Sequence, residues 1–251
     1  MTRCRRVFAL ACTLLVLGFP LASEAMEPED IVFQCEDIPP SNYREDGRLK
    51  GISVELLGSM WKKMGVRRQP IQVVPWARGY ETARDQPKHA VFSMSRTKER
   101  EPLFKWVGPI FTARNVFLGR ADRNLRIRNL ADAKSLKIGT IKDDVVERFL
   151  FEEQFDHGRI ESVSSLEQNF AKLNLGRIDL VAHSESTLRE FIKQENLDST
   201  QFVVLFAFSE TPNYYAFHKS TPDSLIERFQ KALDASKKDH ARLLRKYGLH
   251  P

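Results

Sequence analysis

With 251 residues, 42% hydrophobic and 29% charged, the chain has the composition of a soluble globular protein, long enough for two modest domains, which sets aside the disordered and fibrous classes. Its net charge of +6 comes from lysines and arginines interleaved with acids, not from a basic stripe with aromatics between, so no nucleic-acid partner is expected. The six histidines lack metal-ligand spacing, and no glycine-rich phosphate loop or Gly-x-Ser-x-Gly elbow occurs, so no metal, cofactor, nucleotide or serine-hydrolase chemistry is expected.

In chain order, the first element is a targeting segment. Arg3, Arg5 and Arg6 precede an apolar run from Val7 to Leu17, and Ser23-Glu24-Ala25 places small residues where a signal peptidase reads. The run is short for a bilayer span, so the expectation is a signal peptide over 1–25, cleaved near Ala25, and a mature chain in the periplasm; an uncleaved anchor is the alternative. Cleavage removes Cys4 and Cys12 and leaves Cys35 without a disulfide partner, a small buried hydrophobe or, less simply, a reactive thiol. It also removes three arginines and Glu24, lowering the net charge by two.

Ile31-Val32-Phe33 reads as a buried strand that ends in a polar turn through Asp37 and Pro39-Pro40. Ser53 is placed to cap a helix whose face carries Leu57, Met60, Trp61 and Met64 and which Gly65 ends. A strand over 71–74, a short helix opened by Pro75-Trp76 and a strand at Ala90-Val91-Phe92 follow, so strand and helix alternate and imply a parallel sheet covered on both faces. Trp106-Val107-Gly108-Pro109 reads as a turn, with a strand over 116–119 leaving the unit. Alternation restarts near Leu130: a strand at 137–139, a helix over 145–155, a capping box from Ser165 to Gln168 opening a helix that Gly176 closes, and a strand at 180–182. Residues 202–208 and 214–217 read as two more strands, and Thr221-Pro222 opens the first of two closing helices, with Leu225, Phe229, Ala232 and Leu233 buried.

Chemistry concentrates in Ser93-Met94-Ser95-Arg96-Thr97-Lys98-Glu99-Arg100, which follows a buried strand. A loop there presents its donors at the carboxyl edge of a sheet, where open α/β folds receive small ligands. An arginine in that place grips a carboxylate with two parallel bonds. Arg100 pairing with Glu99 or Asp85 on the surface is the plainer alternative, and Arg96 reads as solvent-facing or structurally paired.

From Ile31 to Tyr247 the chain resembles the family 3 extracellular solute-binding proteins. Ile38-Pro39-Pro40 and Gly51-Ile52-Ser53-Val54-Glu55-Leu56 match the family's opening turn and helix. Ser93, Ser95, Thr97 and Arg100 match its Ser-x-Ser-x-Thr-x-x-Arg loop, and Leu173, Gly176, Arg177 and Asp179 its Leu-x-x-Gly-Arg-x-Asp pattern. The resemblance implies an α/β fold of the type II periplasmic-binding-protein kind: lobe 1 over 26–116 plus 213–251, lobe 2 over 117–212, and an interlobe cleft that hinges shut on ligand. It makes Arg100 the carboxylate clamp, helped by Ser93 and Ser95, with Trp76 and Tyr43 as candidates to cover the ligand body. The family's ammonium-holding aspartate is replaced here by Ser184, preceded by His183. Asp143-Asp144-Val145 stands where Gly-Thr-Thr is common, either supplying that missing anion or capping a helix.

The implied function is a monomeric, non-enzymatic receptor that captures a small carboxylate-bearing solute, such as an amino acid, and delivers it to an ABC importer. A periplasmic sensing subunit for a membrane kinase or cyclic-nucleotide enzyme is the second reading. A dehydratase acting on cyclohexadienyl carboxylates, with Asp144 or Glu185 moving protons, is the third, and no pair of acids stands out to serve it.

Overall fold

A computed structural model of the chain describes residues 26–142 and 144–249, so the leader segment and Asp143 lie outside the described residues. In chain order the strands and α-helices are β1 (Val32–Cys35), β2 (Tyr43–Glu45), β3 (Arg48–Lys50), α1 (Ile52–Met64), β4 (Ile71–Val73), α2 (Trp76–Asp85), β5 (His89–Ser95), β6 (Phe104–Arg120), β7 (Ile138–Ile141), α3 (Val145–Glu152), β8 (Ile160–Val163), α4 (Leu166–Asn174), β9 (Leu180–Ser184), α5 (Glu185–Gln194), β10 (Phe202–His218), α6 (Asp223–Ala235) and α7 (Lys237–Tyr247). Short strands separated by helices cannot return as hairpins, and they pair in parallel: β1 with β4 and β5, β7 with β8 and β9.

The eight-stranded sheet runs β4-β1-β5-β10-β6-β9-β7-β8. Its middle is the antiparallel pair β6 and β10, each 17 residues long, paired from Arg120 opposite Phe202 to Phe104 opposite His218. Each long strand changes neighbours partway. Strand β5 flanks β10 from Asn213 to Phe217, and β9 flanks β6 from Asn115 to Gly119. Two α/β halves therefore share two through-going strands.

Each half has its own core. In the first, Phe33 meets Trp61, Phe217 and Phe229 edge-on at ring distances of 5.6, 5.7 and 5.8 Å, a geometry that aromatic quadrupoles favour. In the second, alternate residues of β6 feed opposite faces: Phe117 packs with Ile138 and Leu150, Val116 and Leu118 with Phe170 and Leu188. Cys35 is in the first core, and burial pushes its thiol up to about 12, the behaviour of an inert buried hydrophobe.

Several local expectations change. Ser53 lies buried inside the first turn of α1, and the capping position falls to Gly51 at φ +116, where a side chain would strike the Ser41 carbonyl. Residues 106–109 are strand, not turn, and 202–208 and 214–217 are one strand interrupted by register shifts. Ser165 occupies the cap of α4 without a side-chain bond, and the expected box does not form: Gln168 accepts from the Ser164 amide at 3.3 Å, one residue before the cap. The β2–β3 hairpin, β8 and α5 were not anticipated.

Candidate functional site

Between the halves lies a cleft of about 490 Å³, the size of small-molecule sites. It sits at the carboxyl ends of the parallel strands on both sides, the place the topology favours. Glu36 follows β1, Ser93 and Ser95 end β5, and Trp76 opens α2 after β4; on the facing side Asp144 follows β7, while His183 and Ser184 end β9. Seven of the eight expected ligand residues thus line one cavity. Tyr43 does not, because it belongs to the β2–β3 hairpin.

Arg100 is 8% exposed, with Nη1 donating to the Ser95 carbonyl at 3.2 Å. Its guanidinium carbon lies over the rings of Trp76 and Tyr80 at 5.3 and 5.6 Å, which fixes its plane by cation–π attraction. Burial, and then the charge of Arg148, push its pKa below the ordinary guanidinium value. No acidic side chain forms an ion pair with it among the described residues, so the surface pairing with Glu99 or Asp85 does not occur. Arg96 takes the structural role instead, bonded twice to Glu101 at 2.5 Å and stacked on Trp106 and Tyr214. A buried cation with no ion pair among the described residues is costly unless an anion arrives, so this corner of the cleft is suited to receive one.

The facing wall carries an acid. Asp144 caps α3, accepting from the Val146 amide at 3.4 Å, and lies 3.2 Å from His183 Nε2. Burial works against its ionisation. The hydrogen bond and charge of His183 and the Val146 and Val145 amides outweigh it, and its pKa is held below the carboxylate norm. His183 Nδ1 is buried without a hydrogen-bond partner among the described residues. Ser184 shares a 3.0 Å hydroxyl contact with Ser186.

Glu36 was missed in the sequence, and its signal, a position one residue beyond a buried parallel strand, emerges once the partners of β1 are known. Burial raises its pKa, the Asp144 charge adds to that, and a bond to the Trp76 backbone opposes it. Glu36 and Asp144 are thus a pair of acids, one from each half, in the cleft that also holds Arg100. Glu185, in contrast, is committed to Arg114 and to Arg189, the latter at 2.5 Å, and does not line the cavity.

Two α/β halves joined by paired long strands around a cleft make the two-lobed fold of the periplasmic binding proteins. The chain belongs to the bacterial extracellular solute-binding proteins, family 3, whose model matches residues 31–250. It is 23% identical over 225 residues to a probable histidine-binding protein of Campylobacter jejuni, covering 84% of this chain and 81% of that one. Among solved structures it is similar to an ancestral arginine-binding protein bound to arginine (TM-score 0.72, 22% identity, 87% of this chain and 98% of that one). It also resembles an arginine-, lysine-, histidine-binding protein of Geobacillus stearothermophilus (0.72, 18%, 88% and 96%) and a histidine kinase sensor domain (0.76, 17%, 88% and 97%). At these identities the structural likenesses establish the fold.

Proposed function

We propose that the chain is a periplasmic receptor for a small molecule carrying a carboxylate at one end and a cationic group at the other, a basic amino acid being the simplest such ligand. The observation that carries this reading is the arrangement of one buried guanidinium, Arg100, which has no ion pair among the described residues, with two carboxyls, Glu36 and Asp144, in a single cleft. The carboxylate bonds Arg100 and the nearby Ser95, Trp76 covers the apolar stem, and the cation lies between Glu36 and Asp144, with His183 and Ser184 completing the wall. Tyr43 has no role in this arrangement.

Residues 26–116 with 213–251 act as one lobe and 117–212 as the other, a division supported by the points where β6 and β10 change neighbours. Closure follows because the ligand contacts both lobes only when they approach, which supplies the differential affinity a population shift needs. The closed form is then handed to an inner-membrane importer. The same closure would serve a membrane sensor, and copurification with a permease or with a kinase separates the two outputs.

The test is a thermal-shift screen of amino acids, polyamines, dicarboxylates and small peptides. A ligand at a hundredfold excess over its Kd adds about 2.7 kcal/mol of stability, a rise in Tm of roughly 5–10 °C. Basic amino acids should give the largest shifts. Polyamines or dicarboxylates alone as hits would contradict the two-pole reading.

A further inference from the structure

Behind the first-lobe wall lies a lattice of polar groups centred on Asn42, which is 1% exposed and does not itself line the cleft. Asn42 closes the turn after Pro39-Pro40, where the Ile38 amide donates to its carbonyl at 2.6 Å and its own amide donates to the Ile38 carbonyl at 3.0 Å. The side chain reaches in two directions: Nδ2 donates to the Glu36 carbonyl, and Oδ1 accepts from the Ser93 hydroxyl. Ser93 Oγ also lies 2.7 Å from the hydroxyl of Ser53, which is fully buried in α1. From below, the Ser53 amide donates to the Ser41 carbonyl at 3.0 Å, and the Tyr215 hydroxyl donates to the Ser53 carbonyl at 2.7 Å.

The groups bonded to Asn42 open the two arms of the site. Glu36 follows β1 and carries one pole. Ser93 begins the stretch that leads through Ser95 to Arg100, the other pole. Ser93 holds φ +59, a left-handed conformation that a residue with a Cβ keeps only when its surroundings impose it. Its single hydroxyl proton is committed to Asn42, so as placed that side chain has no proton left for a ligand carboxylate. A planar amide that bonds both arms at once couples their positions, as a tether through two flexible side chains would not.

We infer that Asn42 is a positioning residue that fixes the separation of the Glu36 carboxyl and the Arg100 guanidinium, and thereby the length of ligand the cleft selects. This rests on the reading of those two groups as the poles of the site. Ser93 and Ser53 carry the coupling from Asn42 to the Arg100 arm, and the Glu36 carbonyl carries it to the other.

The test is calorimetric titration of wild type, Asn42→Ala and Ser93→Ala with L-2,3-diaminopropionate, L-2,4-diaminobutyrate, L-ornithine and L-lysine, which differ by one methylene at each step. Wild type should prefer one length. Each variant should flatten or move that preference, changing the Kd ratio between the best ligand and its neighbour by about fivefold or more, as expected when a buried hydrogen bond is lost. Equal weakening of all four ligands, or no change, would overturn the proposal, because general destabilisation scales the affinities together. Ser93→Ala is the milder variant should Asn42→Ala fail to fold. If wild type binds none of the four, the two-pole reading falls, and the coupling is read without ligand by hydrogen exchange. Either variant should then loosen segments 36–42 and 93–100 together with the rest unchanged, and loosening of one segment alone, or of the whole chain, would overturn the coupling.

Discussion

The two walls of the cleft are built on different physical plans. The first-lobe wall is a fixed lattice: Ser93 bonds both Asn42 and Ser53 in the interior, and Arg100 is laid over Trp76 and Tyr80 with no ion pair among the described residues. The second-lobe wall is a helix end, where Asp144 already accepts from the Val146 amide and pairs with His183. One side therefore keeps its charge for the ligand, while the other shares its charge with the fold. Substitution of Arg100 should therefore act mainly on binding, and substitution of Asp144 on binding and stability together.

The largest expected effect is at Arg100. Arg100→Ala should weaken binding of a basic amino acid roughly 100-fold or more, since truncating one partner of a buried charge pair costs about 2–5 kcal/mol. The apoprotein Tm should stay within about 2 °C, because no ion pair among the described residues is lost. A large fall in Tm would place Arg100 on the structural side of the comparison. At Asp144 the two roles separate by choice of residue. Asp144→Asn keeps a good cap and should lose about tenfold or more in affinity, while Asp144→Ala should also lower Tm by roughly 2–4 °C through the lost cap, about 1 kcal/mol. Equal Tm values for the two variants would remove the capping role.

Glu36 should show a trade between binding and stability. Its raised pKa means that the folded state binds the proton more tightly than the unfolded chain does. The stability this gives is complete below the unfolded pKa and is lost as pH rises through the folded value. At neutral pH the buried charge is therefore a burden, and Glu36→Gln should raise the apoprotein Tm by about 2 °C. The same variant should weaken cationic ligands by about tenfold. Its Tm advantage should disappear on acidification, and an advantage that persists at low pH would contradict the burial argument. Smallest of all is Tyr43→Phe, which should change affinity by less than about twofold, as surface substitutions do; a larger loss would put the β2–β3 hairpin into the closed site.

Strand β1, the buried face of α1 and the α6 stripe were legible in the sequence because apolar spacing reports directly on burial. The Arg100 loop was legible for the same reason, lying just past the buried run Ala90-Val91-Phe92. The hairpin that carries Tyr43 escaped a reading by periodicity, since three-residue strands contain no period. Its signal was the Asp46-Gly47 pair, both at positive φ, the chemistry of a tight two-residue turn. Residues 106–109 misled because Gly108-Pro109 has turn composition, although tertiary pairing with β10 keeps it in strand. Glu36 is marked only once the parallel partners of β1 are known, and the Asn42–Ser93 bond joins residues 51 apart, a distance no local pattern spans.

The central claim is that Arg100 faces the ligand's acid group. Calorimetric titration of wild type and Arg100→Ala with L-arginine and with L-argininamide, which differ only in that group, tests it most directly. Wild type should prefer the acid by roughly 30-fold or more, and Arg100→Ala should bind the two about equally, the difference being a charge-assisted pair of bonds. A wild type that binds acid and amide alike, or a variant that keeps the full preference, would contradict it.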